Sequence, residues 1–425
     1  MSPRLAEQHY DSFVQRHLRR NILALGADFA LYMVGLAFAS QATILPAFAA
    51  SLGASNVVIG AIPAVTTLGW LLPSLFVAGH TEALPRKLPF MLRYTVWERA
   101  PYLVLALVAF AAADRAPAAS LAVVLLVLLV TTGVSGALMP AWMDIVGHAV
   151  PVTLRGRFFA VSSTVSSLGG LAASFGTAWI LAVLPGPSGF GACFLGASAF
   201  MALSYAALLF TLEPPALAPA PPGVSLADYL RRIPALLRAD ANMSWFIAAR
   251  SCAIVGGMAT GFFTVYALRA FAVPAWQVGV FTTMLLAGQL AGNLTFGWLA
   301  DRTGHRLVLA VGALAMVGAN VAALCTPSAR LFGIAFALDG VYDSAMLVSG
   351  VTILLEMSPS IEQRPTYVGL GRTAVAPVAF GAPLIAGLLV DAAGFSLVFA
   401  LAGLFAALGF GLMIARVRDP VRAAR

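Results

Sequence analysis

Five charged residues stand inside runs that are otherwise almost wholly apolar: Asp28, Arg250, Asp339, Asp343 and Arg372. Asp28 is followed one helical turn later by Tyr32, on a face that also carries Gly35. Asp339, Tyr342 and Asp343 have the i, i+3, i+4 spacing that sets three side chains on one helix face. Two carboxylates so close resist ionising together in a low dielectric, so one of them can hold and release a proton. Asp28 or the Asp339/Asp343 pair is therefore the candidate proton-handling group, and Arg250 is the counter-charge that a proton or an anionic group would release. A static ion pair that holds helices in register is the plainer reading of the same residues. Arg372 lies close to one end of its run, where a long side chain can snorkel to the surface.

The elements that must position these groups are membrane helices. With 60% hydrophobic and 10% charged residues over 425 positions, and a mean hydropathy of +0.92, the chain has too little polar surface for a soluble globule. A hydrocarbon core about 30 Å thick needs roughly 20 apolar residues per helix. Windows of that size mark twelve spans: Ile22–Ala49, Val57–Ala78, Tyr94–Ala113, Ala118–Met139, Phe158–Leu184, Gly191–Leu212, Trp245–Leu268, Trp276–Ala300, Leu307–Leu324, Leu331–Leu355, Tyr367–Val390 and Phe395–Ala415. Glu98 and Arg99 interrupt the third, and the sequence reads them as an ion pair snorkelling at the interface. Trp70, Trp97, Trp276 and Trp298 fall near span ends, where interface anchoring is the default. Gly257-x-x-x-Gly261 and Gly288-x-x-x-Gly292 permit close helix approach.

The net charge of +8 belongs to a membrane topology and not to a nucleic-acid partner. With the N-terminus inside, only Arg115, Arg269 and Arg330 fall in outer loops, while the other loop Lys and Arg gather on the cytoplasmic side. That bias predicts both termini cytoplasmic in the inner membrane and an even number of spans. Cys193, Cys252 and Cys325 lie in apolar runs without metal-ligand or CxxC spacing and read as packing residues. One connection is long: Glu213 to Gly223 is a Pro-rich spacer, after which Ser225 can cap a short amphipathic helix with Leu226, Leu230, Ile233 and Leu237 on one face. The chain thus divides into a first bundle (1–212), a cytoplasmic linker (213–243) and a second bundle (244–425).

Between the eighth and ninth spans lies a polar hairpin running from Gly297 through Trp298, Asp301, Arg302 and Gly304 to His305 and Arg306. A worn copy, Ala78 to Lys87, aligns with it without a gap, Ala78 opposite Gly297 and Glu82 opposite Asp301. The same offset sets Gly60 on Gly279 and Gly69 on Gly288, so the two halves are related. A carboxylate in such a hairpin can cap the N–H groups opening another helix, and its arginines can pair with acids at neighbouring helix ends.

Two six-helix halves, a long central loop and this hairpin resemble the major facilitator superfamily, whose signature Gly297, Leu299, Asp301, Arg302, Gly304 and the following basic residues match position by position. The first-half copy departs from it, with Ala78, Glu82, Ala83 and Pro85 at the signature positions. The resemblance implies an all-α membrane fold of twelve helices in two pseudo-symmetric six-helix bundles. It implies a monomeric secondary transporter, surrounded by lipid and without a cofactor, carrying a small-molecule substrate by alternating access around a cavity lined by the first, fourth, seventh and tenth helices. Four of the five buried charges lie on those helices, and Gln41, Thr260, Thr264, Gln289 and Asn293 are further polar candidates, each also explicable as a helix–helix hydrogen bond. By pseudo-symmetry Asp301 is expected near Gly156 and Arg157, and Glu82 near Thr366 and Tyr367, with Asp144 and Glu356 open to Arg86, Arg155, Arg302, Arg306 and Arg364 as a cytoplasmic gate. Protons are the expected coupling ion.

Other chemistries lack their residues. The sole lysine, Lys87, follows Arg86 where a phosphate-binding loop needs glycine, so no ATP motor of that type is present. The string Gly369-Leu370-Gly371-Arg372-Thr373-Ala374 fits a dinucleotide fingerprint only nominally, since it opens a membrane helix with no strand before it. HExxH, GxSxG and GxGD are missing, which disfavours an intramembrane enzyme. A transport-inactive receptor or scaffold on the same fold is the competing class, and import of a metabolite the competing direction. The Ala, Val, Leu and Phe surroundings lean to amphipathic organic molecules and efflux.

Overall fold

Several helical segments open with a proline in their first turn. The computed structural model describes residues 3–214, 238, 240–359 and 363–419. Among these, eleven helices are long and apolar enough to cross a membrane. The remaining span is the third, built of three short segments, Leu88–Tyr94, Val96–Arg99 and Pro101–Ala111. Pro101 has no N–H to offer the preceding turn and is tolerated where it opens a helix.

Other spans are also segmented where the sequence suggests continuous runs. The first is not one helix to Ala49: it runs Pro3–Phe38, turns through residues 39–43 and resumes as Ile44–Ser51. The turn puts Pro46 in the first turn of the second piece, where its missing N–H has no helical partner to lose. The seventh comprises Ala241–Gly256, a 3₁₀ turn Gly257–Ala259, and Thr260–Ala270. The tenth comprises Ala329–Ser349 and Thr352–Met357, and the eleventh Arg364–Thr373 and Ala376–Ala393. The fourth, Pro117–Ala149, passes through Pro140 and extends beyond the end expected at Met139. The second, fifth, sixth, eighth, ninth and twelfth are Asn56–Ala83, Val152–Val183, Pro187–Leu208, Trp276–Thr303, His305–Cys325 and Phe395–Ala415. The amphipathic helix expected after Ser225 lies outside the described residues, as do the side chains of Glu82 and Arg364.

The described chain forms two compact units. One gathers the chain up to Ala39, Leu68–Ala173, and the chain from Phe190 to the linker; the other gathers Ser40–Thr67, Ser174–Gly189 and the second half. The first unit packs around Leu25, Met91, Trp142, Ile145, Val146, Phe158 and Leu208. The second has one cluster around Phe246, Leu309, Leu354 and Leu370, and an aromatic one in which Phe263, Phe332, Phe336 and Phe399 meet Tyr266.

The internal repeat reappears as equivalent helix crossings. In the first unit Gly69 lies so close to Thr132 and Gly133 of the fourth span that a Cβ would collide. Its counterpart Gly288 lies equally close to Ala337 of the tenth. Within the second unit Gly60 meets the Pro383 carbonyl of the eleventh span, and its counterpart Gly279 meets Ala178 of the fifth. Both halves therefore use glycine at the same repeat position for the same class of contact.

Candidate functional site

The second unit takes in part of the first half of the chain, at the ends of helices away from the termini. There Thr43 and Thr282 share a buried hydrogen bond of 2.6 Å, and Thr264 donates to the Ala42 carbonyl at 3.0 Å. Asn56 donates to Asp391 at 2.6 Å while accepting from Arg269 at 3.1 Å, and Ser174 bonds Thr283 at 2.8 Å. Together with the Gly60 and Gly279 crossings these contacts join the helices of this unit at that end. Thr264 belongs to these contacts by its carbonyl partner.

In the first unit the buried acid Asp28 meets a cation that the sequence places elsewhere. Arg99 is buried, and its Nη2 donates to Asp28 Oδ1 at 2.8 Å while Nη1 donates to Glu98 Oε2 at 3.0 Å. The expected snorkelling of Glu98 and Arg99 is thus corrected: the breaks at Thr95 and before Pro101 turn both side chains inward, and both are buried. Asp28 also accepts from Ser204 at 2.6 Å and from the Trp142 indole at 3.0 Å. Glu98 accepts from Thr95 at 2.9 Å and from Ser135 at 2.5 Å, and Ser135 bonds the Tyr32 hydroxyl at 2.9 Å. The Arg99 guanidinium lies over the Tyr32 ring, 5.2 Å from its centre. Asp28, Tyr32, Glu98, Arg99 and Ser135 border a cavity of about 90 Å³ whose other walls include Phe29, Met33, Trp70, Met91 and Trp142. Trp70 lies well inside the helix Asn56–Ala83 and lines this cavity, correcting its reading as an interface anchor.

The second unit carries a sparser arrangement. Asp339 is buried; Thr260 donates to its Oδ1 at 3.1 Å and its Oδ2 has no hydrogen-bond partner among the described residues. Thr260 follows directly on the 3₁₀ turn of the seventh span, so this bond ties the break in that helix to the tenth. Asp343, one turn on, is exposed, and neither acid forms an ion pair among the described residues. Tyr342 is buried and donates to the Ala253 carbonyl at 3.4 Å. Arg250 does not reach either acid: its Nη1 donates to the Gly350 carbonyl at 2.6 Å and its buried Nε has no partner among the described residues. Arg372 is exposed. Asn293 accepts from Ser344 at 2.7 Å across the eighth and tenth spans, and Gln41 and Gln289 are half-buried.

At the ends near the termini, the expected gate residues find other partners. Asp144 pairs with Lys87 at 2.8 Å and His148 at 3.3 Å, and Glu356 with His305 at 3.6 Å. Arg155 donates to the carbonyls of Val150 and Gly147, and Arg306 to that of Val417 at 2.8 Å. Arg302 stacks on Trp298 at 4.1 Å. Asp301, Arg86 and Arg157 are exposed. Glu213, just before the linker, accepts from the Lys87 and Leu88 amides at 2.7 and 2.9 Å and caps the third span. Gly304 has φ +87° and ψ 161° at the turn into the ninth span, with Asp419 beside its Cα. A Cβ at Gly297 would meet open space. Pro85 cannot adopt the Gly304 backbone, which explains why the first-half hairpin takes another path.

Residues 245–425 match the family model described as Major Facilitator Superfamily. Solved structures similar in fold over most of the chain include transporters. A variant of the nucleoside transporter NupG is 14% identical with a TM-score of 0.72, covering 93% of this chain and 100% of its own. A POT family transporter in complex with 5-aminolevulinic acid is 13% identical with a TM-score of 0.71, covering 93% and 96%. The E. coli fucose:proton symporter FucP, as a variant, is 17% identical with a TM-score of 0.56, covering 93% and 98%. No curated protein matches the sequence.

Proposed function

We propose that this multi-pass membrane chain is a secondary transporter of the major facilitator superfamily, proton-coupled, that moves a small organic solute across the cytoplasmic membrane by alternating access. Asp339 carries the reading. It is buried, has one hydrogen bond, keeps one oxygen without a partner and has no cation paired with it among the described residues. An ionised carboxylate so placed costs several kcal/mol, roughly what one unpaired buried charge costs, whereas a neutral acid costs far less. The proton therefore resides on Asp339 in this state, and water reaching it from the other side would take it away. Asp343, exposed one turn away, is the neighbouring acid through which that proton exchanges. Asp28 is held by Arg99 and serves as the fixed ion pair of the first unit.

We read the end joined by these contacts as sealed, which supports the alternating part of the reading. Thr43–Thr282, Asn56–Asp391 and the Gly60 and Gly279 crossings must separate before solute can leave on that side. With both termini cytoplasmic, that side is the outside, and a cavity walled by aromatic and Met side chains favours export of an amphipathic solute. The experiment is a susceptibility and metabolite screen of cells with and without the gene. The best solute is then carried into flux measurements on proteoliposomes with wild type and Asp339→Asn. Binding without flux would favour a receptor.

A further inference from the structure

The Asp28–Glu98–Arg99 network holds two acids and one guanidinium, and its hydrogen bonds can all be drawn to two ionised carboxylates. Asp28 accepts from Arg99 and Ser204 at Oδ1 and from Trp142 at Oδ2. Glu98 accepts from Arg99 and Thr95 at Oε2 and from Ser135 at Oε1. Both acids are buried, with 2% and 7% of their surface exposed, and with both ionised one negative charge is left without a protein cation among the described residues. The cavity on which the two acids open is walled by Phe29, Trp70 and Trp142, aromatic rings of the kind that attract positive charge, while the Tyr32 ring already carries Arg99.

We propose that this cavity binds the positively charged head of a small organic cation, an amine or quaternary ammonium, with Glu98 supplying the unmatched charge and Trp70 and Trp142 the ring faces. Arg99 stays with Asp28. At about 90 Å³ the cavity is well below the roughly 300–1,000 Å³ of drug-sized pockets, so it takes a head group, and the rest of the molecule extends beyond it. The same charge could be met by a proton on Glu98: Ser135 would then accept from Glu98 and donate to Tyr32, since the Tyr32–Ser135 bond can run either way. That arrangement leaves no role for an organic cation and is the outcome that overturns the proposal. As a statement about cargo the proposal rests on the transporter reading; as a statement about binding it stands by itself.

The test is equilibrium binding of tetramethylammonium to the purified full chain in detergent, read by tryptophan emission, with neutral tert-butanol as the near-isosteric control. Tetramethylammonium is expected to give a saturable change and tert-butanol none. Glu98→Gln should weaken the affinity at least tenfold, and Trp70→Leu severalfold with unchanged melting temperature. An equal response to tert-butanol, no response to tetramethylammonium, or unaltered affinity in Glu98→Gln overturns the proposal. Should Glu98→Gln fail to fold, Trp70→Leu decides, unchanged affinity there counting against it. Failed binding alongside intact proton-driven flux in proteoliposomes sinks this inference alone and leaves the transporter reading standing.

Discussion

Removing Arg99 would leave Asp28 and Glu98 facing each other in a buried site, while removing Asp28 and Arg99 together would leave far less unbalanced charge. Arg99→Gln is therefore expected to destabilise by about 3–5 kcal/mol, the usual cost of breaking a buried pair from one side. Thermal melting in detergent should show the double variant Asp28→Asn/Arg99→Gln recovering part of that loss, and a double variant worse than either single one would contradict the network. Asp339→Asn should behave oppositely: with the proton proposed on Asp339, a neutral amide replaces a neutral acid, so the variant keeps the fold and loses gradient-driven flux at least tenfold. Asp28 and Asp339 were legible in the sequence because a charge inside an apolar run has few explanations. Arg99 was not, since its neighbours Arg93, Tyr94 and Trp97 give the third span the composition of an interface. Only the breaks at Thr95 and before Pro101 turn Glu98 and Arg99 inward, and side-chain direction across a helix break is not encoded in spacing.

At the level of helices, the crossings carry the account. A leucine at position 60 would drive a side chain into the Pro383 carbonyl and hold the sealed end apart. With Thr43→Cys as reporter, Gly60→Leu is expected to raise labelling by a membrane-impermeant maleimide at least tenfold; equal labelling would mean that this crossing does not close the end. Gly304→Ala tests a different demand. Its φ of +87° with ψ 161° lies in a region that essentially only glycine occupies, so the variant should lose about 1–3 kcal/mol in melting experiments. Span positions were legible from hydropathy, and the twelfth helix starts and ends where the sequence puts it. The breaks at residues 39–43 and Gly257–Ala259 were not, because apolar composition runs straight through them and the hydrogen bonds that favour bending there come from other helices.

For the whole molecule, duplication is the organising fact. Gly69 with Gly288 and Gly60 with Gly279 make equivalent contacts in the two halves, as the repeat suggests. The expected cytoplasmic gate was read from the same repeat, yet Asp301 is exposed and Asp144 and Glu356 pair with Lys87 and His305. A repeat fixes which helices correspond, not which state of a cycle the molecule occupies or which loop charges meet in it. Substrate identity is still less legible, since the fold hosts many cargoes and the cavity's charge balance depends on Glu98 and Arg99. The most direct test of the central claim is uptake of the screen's best solute into proteoliposomes under an imposed pH gradient. Wild type should move the solute against its concentration gradient, lose that movement when an ionophore collapses the pH gradient, and retain solute exchange in Asp339→Asn without accumulation. Accumulation that survives the ionophore, or that persists undiminished in Asp339→Asn, would contradict a proton held at Asp339 as the source of the driving force.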